Sequence, residues 1–171
     1  MNIRFSGFGG QGIVLSGVIL GWAAVHDGKN VIQTQSYGSE ARGGSCKCDV
    51  IIKDTEIFEL EPDDIDILVA FSQPAFNKYF PGLRNDGTLF IDKDLVKPET
   101  TPAKTFSIPA TDIAFKKMNR KIMANIIMLG YITSKTGIVK PESMKKSIER
   151  YVPAQTVKQN QEAFGIGLNL S

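Results

Sequence analysis

A glycine-rich stretch near the start of the chain, residues 7–12 (GFGGQG), most constrains what this sequence can fold into. Ile3 and Phe5 alternate with polar residues before it, as on a half-buried strand. An almost wholly apolar segment, residues 13–25, follows it. The pattern therefore predicts a strand, a tight turn and a helix that packs back against the strand.

The glycines of this stretch have the spacing G-x-G-x-x-G, with a further glycine, Gly10, beside the second. In such an elbow Gly7 makes the tight turn, Gly9 lets a phosphate approach the backbone, and Gly12 lets the helix lie close to the strand. Free N–H groups at the start of the helix attract anions, so Gly7 and residues 9–12, with Gln11 among them, are candidate cofactor-binding residues. A bare structural elbow, with no ligand, is the alternative.

The segment after the first helix weakens a dinucleotide interpretation. Residues 31–34 form a predicted second strand, which completes a βαβ unit with the first strand. Nicotinamide and flavin folds carry an Asp or Glu at the end of this strand, where it binds the ribose hydroxyls. This chain has Gln33 and Gln35 there instead.

A polar, glycine-rich loop at residues 36–45 is the second informative stretch. It holds Tyr37, Glu40, Arg42 and Gly43, which we include among the candidate cofactor-binding residues. A planar guanidinium between flexible glycines suits a phosphate, a carboxylate or the acidic group of a partner. An ordinary connection with a solvated Glu40 and Arg42 is the alternative.

Few residues are suited to catalysis or metal binding. His26 is the single histidine and lies in a surface-like turn, so histidine-based catalysis is not expected. Cys46 and Cys48 are the only cysteines, and on a strand both point to the same face as Val50. We expect them to be buried small apolar residues, with no metal site and no catalytic residue in the chain.

Length and charge indicate one ordinary globular domain. The 171 residues are enough for a single core, and a formal charge of +2 does not indicate nucleic-acid binding. The longest apolar run is too short to cross a bilayer, and no signal peptide precedes it, so we expect a cytoplasmic location and no membrane contact. Lysines and arginines concentrate between residues 116 and 158, either as a solvated face or as a partner-facing surface.

Strand-like and helix-like segments alternate along the chain. They predict a single α/β domain over residues 1–171, Rossmann-like, with three layers and a mostly parallel sheet. Residues 155–171 form a C-terminal tail that we expect to pack on a partner. Further strands are predicted at 46–54, with 55–58 as its hairpin partner, and at 65–71, 88–91 and 105–108; further helices are predicted at 75–79, 112–118, 119–136, 141–150 and 158–164.

Taken together, residues 7–12 (GFGGQG) and 37–44 (YGSEARGG) resemble the gamma subunit of the 2-oxoacid:ferredoxin oxidoreductases. The resemblance extends along nearly the whole chain, to residues 66–70, 124–130 and 160–164. The form of the two motifs resembles the 2-oxoglutarate branch more than the pyruvate branch. Branched-chain and aryl 2-oxoacid enzymes remain open.

The resemblance implies a part in a larger enzyme. Such complexes decarboxylate a 2-oxoacid on thiamine diphosphate, pass electrons through iron–sulfur clusters to ferredoxin, and transfer the acyl group to coenzyme A. The implied partners are thiamine diphosphate-binding alpha and beta subunits and a ferredoxin-like delta subunit. The gamma subunit itself is implied to bind neither cluster nor metal, to be inactive alone, and to help shape the cleft that admits coenzyme A.

Two other interpretations predict different behaviour. A stand-alone nucleotide-binding protein would bind NAD or ATP as an isolated chain. A purely structural subunit would use both glycine motifs for packing and docking, so that loop substitutions would alter assembly without changing substrate constants.

Overall fold

A six-stranded sheet forms the centre of the computed structural model, which describes residues 1–37, 45–62, 64–101 and 104–170. Four strands run parallel to their neighbours, so the α/β class with a mostly parallel sheet is confirmed. The order across the sheet is β2 (Asn30–Ser36), β3 (Ser45–Lys53), β1 (Asn2–Phe8), β4 (Ile65–Ala70), β5 (Leu83–Asp92) and β6 (Lys104–Ile108).

β3 lies between β1 and β2 and runs antiparallel to both. The expectation of a first βαβ unit with neighbouring strands is therefore wrong. The register places Arg4 directly opposite Asp49, and the Arg4 Nε–Asp49 Oδ1 distance is 2.6 Å. Asp49 is buried and also receives the Lys47 ammonium at 3.0 Å, so this cross-strand ion pair joins β3 to β1.

The strand edges correct two further predictions. Residues 55–58 form no strand, because β2 already occupies the free side of β3. The strand predicted at 88–91 begins earlier, at Leu83, so residues 85–87 (NDG), which favour a turn, lie inside β5, where the pairing with β4 is irregular between Ile65 and Ile67. The exposed start of β5 thus accommodates turn-forming residues without ending the strand.

The helices cover both faces of the sheet. α1 and α4 lie on one face and α2 on the other, with α5 packed on α1 and α6 on α4. α4 is buried at every residue from Ala124 to Thr133, because it lies between the sheet and α6. The helices are α1 (Ile13–His26), α2 (Gln73–Tyr79), α3 (Ala110–Met118), α4 (Ala124–Thr136), α5 (Pro141–Tyr151) and α6 (Val157–Leu168).

The predicted helix at 119–136 begins too early. Asn119 adopts a left-handed conformation, with φ of 53°, and ends α3. A short 3-10 turn, Lys121–Met123, follows, and α4 begins at Ala124. Ile122, which is part of the apolar helical spacing of this segment, therefore lies outside α4 and is 60% exposed. No helix in the described part of the chain is long and apolar enough to span a membrane.

Residues 155–168 pack on the chain's own α4. A Cβ atom added at Gly167 would overlap the carbonyl oxygen of Ile127, and one at Gly130 would lie 3.0 Å from Gly167 Cα. The two glycines therefore allow the backbones of α4 and α6 to touch. Packing of the C-terminal segment on a partner stays a prediction.

We expect Gly167→Ala to lower the free energy of unfolding by about 2 kcal/mol, because the added methyl group forces the two helices apart. Gly165→Ala is the matched control, since a Cβ there meets nothing within 4 Å and alanine favours a helix by about 1 kcal/mol. Thermal or urea unfolding of the two variants measures the difference. Equal stabilities would contradict the packing described for α6.

Candidate functional site

The elbow between β1 and α1 is built as the glycine spacing predicts. β1 ends at Phe8 and α1 begins at Ile13, with Gly10 and Gly12 in the left-handed region at φ of 89° and 74°. Residues other than glycine rarely adopt that backbone conformation. The sharp turn therefore depends on glycine at these two positions.

The elbow glycines divide into a packed pair and an open pair. A Cβ at Gly7 would lie 2.5 Å from Gln11 Oε1, and one at Gly12 would overlap the Asn125 side chain. A Cβ at Gly9 or Gly10 would meet nothing within 4 Å. Gly7 and Gly12 thus serve internal packing, whereas Gly9 and Gly10 are exposed and leave room for a ligand or a partner to approach the backbone.

Gln11 fastens the elbow to the end of β4. Its Oε1 accepts a hydrogen bond from the backbone N–H of Phe8 at 2.6 Å, and its Nε2 donates to the Phe71 carbonyl at 2.9 Å. The Gln11 backbone N–H donates to the Phe8 carbonyl at 3.3 Å. Gln11 is therefore engaged inside the loop through its side chain and its N–H, and it acts as a clamp instead of a free donor.

α4 holds the elbow from the other side. Asn125 is 3% exposed, and its Nδ2 donates to the Gly12 carbonyl at 3.3 Å. Ser16 Oγ donates to the same carbonyl at 2.9 Å, as does the Ser16 backbone N–H. The last residue before α1 is thus fixed by contacts from two helices, which sets the direction in which α1 begins.

Backbone donors of the elbow lack acceptors among the described residues. Among the described residues, none accepts a hydrogen bond from the N–H of Gly9 or Gly10. No described side chain caps α1 at Gly12, so the N–H groups of its first turn have no intrahelical acceptor. Such donors, at the positive end of the helix dipole, favour a negatively charged ligand.

A cleft of about 350 Å³ opens beside the elbow, where β1 and β4 end. Ligands of open α/β folds bind at this carboxyl edge. The cleft walls come from the elbow, the end of β4, the segment after β5 and the starts of α3 and α4. They comprise Gly10, Gln11, Phe71, Leu95, Thr111, Lys121, Ile122 and Ala124.

Asp92 fixes one wall of this cleft. It is fully buried at the end of β5, and its Oδ2 accepts from both the backbone N–H and the hydroxyl of Thr111, at 2.8 and 2.6 Å. Burial raises the pKa of the Asp92 carboxyl, and the Thr111 hydrogen bonds act against that shift. The sequence alone does not predict this pair, because β6 lies between β5 and α3 along the chain.

The second predicted motif begins at the same edge of the sheet. Ser36 pairs with Lys47 and Phe8 with Ser45, so Tyr37 lies two strand spacings, about 10 Å, from the end of β1. Tyr37 is 65% exposed, and its hydroxyl accepts from Gln35 Nε2 at 3.3 Å. Glu40, Arg42 and Gly43 lie outside the described residues. Their part in the site stays a prediction.

β3 also changes the dinucleotide argument. In the dinucleotide fold the first two strands are neighbours, so the acid of the second strand lies beside the glycine elbow. Here β3 separates them, and Gln33 Nε2 donates to Cys48 Sγ at 3.1 Å and to Gln35 Oε1 at 3.2 Å. Both the residue types and their position disfavour a ribose site at the end of β2.

Both cysteines are buried, as expected. Cys46 and Cys48 are 4% and 0% exposed and free of any disulfide. Burial raises the pKa of the Cys46 thiol and raises that of Cys48 to about 12. The described residues contain no group of His, Cys, Asp or Glu side chains that could hold a metal ion.

We expect both thiols to resist alkylation by iodoacetamide at pH 8 in the folded protein. With a pKa of about 12, only about one Cys48 thiol in ten thousand is ionised at that pH. Mass spectrometry should find no adduct on the native chain and two adducts after denaturation in guanidinium chloride. Rapid labelling of Cys48 in the native state would contradict its burial.

Comparison with known proteins identifies the family. The model described as "Pyruvate ferredoxin/flavodoxin oxidoreductase" matches residues 2–170. The 2-oxoglutarate synthase subunit KorC of Methanocaldococcus jannaschii is 46% identical over 174 residues, covering 99% of this chain and 93% of the relative. The pyruvate synthase subunit PorC of Methanothermobacter thermautotrophicus is 31% identical over 166 residues, covering 95% and 91%.

A solved structure agrees with the sequence comparisons. The crystal structure of the gamma subunit of keto/oxoacid ferredoxin oxidoreductase from Geobacter sulfurreducens has a TM-score of 0.85 and 40% sequence identity. The match covers 97% of this chain and 95% of that chain. The resemblance inferred from the two glycine motifs is confirmed, and this chain belongs to the pyruvate ferredoxin/flavodoxin oxidoreductase family.

Proposed function

We propose that this chain is the gamma-type subunit of a multisubunit 2-oxoacid:ferredoxin oxidoreductase whose substrate is 2-oxoglutarate. The reaction is the oxidative decarboxylation of the 2-oxoacid to its acyl-coenzyme A, with reduction of ferredoxin. The similarity to a 2-oxoglutarate synthase subunit, 46% against 31% for a pyruvate synthase subunit, supports this choice of substrate. The matches cover 93% and 91% of these two relatives.

The redox and decarboxylation groups belong to other subunits in this proposal. Thiamine diphosphate is assigned to the alpha and beta subunits and the iron–sulfur clusters to a ferredoxin-like delta subunit, which passes electrons to ferredoxin. Cys46 and Cys48 are the only cysteines of the chain, and a cluster is held by four thiolates, so they do not fit as its ligand set. This chain is therefore expected to be inactive alone and to work in the cytoplasm as part of the complex.

Its own part is to help bind coenzyme A. Gly9 and Gly10 are exposed, with open space at their Cβ positions and backbone N–H groups that no described residue accepts from, and the first turn of α1 adds further donors. Gly7, Gln11 and Gly12 hold that geometry. Tyr37, Glu40, Arg42 and Gly43 belong to a loop that starts at the same edge, where an arginine suits a phosphate group.

One observation carries the proposal: the elbow has donors without described acceptors, next to two glycines with open space around them. A purely structural elbow would need Gly7, Gly10 and Gly12 for packing and turning. It would not need Gly9, which has neither a close neighbour nor a left-handed backbone. The open position of Gly9 is therefore the feature that separates a binding loop from a structural one.

We expect Gly9→Ala, in the reconstituted complex, to raise the KM for coenzyme A at least about fivefold. The added methyl group would keep a phosphate from reaching the backbone N–H groups of the elbow, and hydrogen bonds to a charged group would be lost. Steady-state kinetics with 2-oxoglutarate and a dye acceptor measure it. Assembly and the unfolding temperature should not change. Arg42→Ala should raise the same constant.

Gly12→Ala is the structural control, since the added methyl group strains the backbone and collides with Asn125. Unlike Gly9→Ala, it should lower the unfolding temperature. An unchanged KM in Gly9→Ala and Arg42→Ala would refute the coenzyme A assignment and leave a structural subunit. Full activity of the isolated chain, or tight binding of NAD or ATP to it, would instead support a stand-alone nucleotide-binding protein.

A further inference from the structure

Three large apolar side chains lie exposed beside the cleft. Leu95, Phe115 and Ile122 are 38%, 50% and 60% exposed. Leu95 and Ile122 line the same cleft as Lys121, and the Lys121 ammonium lies 5.5 Å from the centre of the Phe115 ring. We call this group, Leu95, Phe115, Lys121 and Ile122, the apolar-basic surface.

The residues of the apolar-basic surface come from separate segments that the fold brings together. Phe115 lies one helical turn after Thr111 on α3, and Thr111 lines the same cleft as Leu95 and Ile122. Ile122 lies in the 3-10 turn before α4, and its neighbour Met123 is buried. Asn119, with φ of 53°, ends α3 before this turn, so Ile122 belongs to neither α3 nor α4.

Exposed apolar clusters of this kind mark interaction sites in proteins that otherwise bury such residues. Full burial of a single side chain of this size contributes about 1.5 to 3 kcal/mol. The helix predicted at 119–136 includes Ile122, but α4 begins two residues after it. Its side chain is exposed instead.

The charge around the apolar-basic surface is strongly positive. Residues 93–97 and 111–122 contain six basic side chains and two acidic ones, whereas the whole chain carries only +2. Lys116 is paired with Asp112 at 2.9 Å. No described acidic side chain forms a salt bridge with Lys93, Lys117 or Arg120. The positive charge is therefore available to an acidic partner.

We infer that the apolar-basic surface docks another subunit of the same complex, through a surface with an apolar centre and an acidic rim. The inference rests on the proposed function. A small anion would satisfy the lysines and leave the three apolar side chains exposed, whereas a protein surface covers both. Docking here also places the partner at the mouth of the cleft, so that the elbow and the partner together enclose the ligand.

The test compares two charge reversals in the chain co-expressed with the other subunits of its complex. Lys117→Glu with Arg120→Glu should reduce the recovery of partner subunits at least about tenfold, as should Ile122→Ser. The matched control is Lys145→Glu with Lys146→Glu on α5, which makes the same change of charge at exposed residues of another face. The control should assemble like the unaltered chain.

Thermal unfolding of each isolated variant checks that the fold is retained, because all the substituted side chains are exposed. Normal assembly of the surface variants, or an equal loss in the α5 control, would overturn the inference. Normal assembly with a raised KM for coenzyme A would also overturn it, and would identify the surface as a ligand contact. If the unaltered chain recovers no partner at all, the proposed function fails first.

Discussion

The fold around the candidate site depends on one side chain, Gln11, which ties the turn after β1 to the end of β4. Its side-chain amide accepts a hydrogen bond from the Phe8 N–H and donates one to the Phe71 carbonyl. It thereby satisfies two backbone polar groups that the sharp turn would otherwise leave unpaired. With Gln11 turned inward, the loop exposes backbone and not side chains at Gly9 and Gly10. A ligand that meets this surface is therefore held by N–H groups, which suits phosphate better than any uncharged group.

Much of the architecture could be predicted from local patterns. The apolar run of α1, the buried strand β4 and the left-handed Gly137 that ends α4 all follow from the nearby sequence. The position of β3 could not be predicted, because strand order depends on pairs distant in sequence, such as Arg4 with Asp49. The late start of α4 could not be predicted, because the apolar spacing extends back to Ile122 and only the backbone conformation shows the 3-10 turn at Lys121–Met123.

The site was predictable in outline only. Spacing indicated the glycine elbow, but it could not separate the packed Gly7 from the open Gly9, since that difference depends on Phe71 and Gln11 around them. Asn125 and the Asp92–Thr111 pair reach the site through tertiary contacts. No local pattern indicates such contacts. The exposure of Ile122 in the cleft wall could not be predicted either, because a helical repeat of apolar residues does not distinguish an exposed position from a buried one.

The central claim is that the elbow is one half of a ligand site that other subunits complete. Amide hydrogen exchange over residues 9–15 tests it most directly, in the isolated chain and in the assembled complex, each with and without coenzyme A. We expect rapid exchange at Gly9 and Gly10 in the isolated chain, unaffected by coenzyme A. In the complex, coenzyme A should slow the exchange of these amides. Slowing in the isolated chain, or no effect of coenzyme A on the complex, would contradict the account.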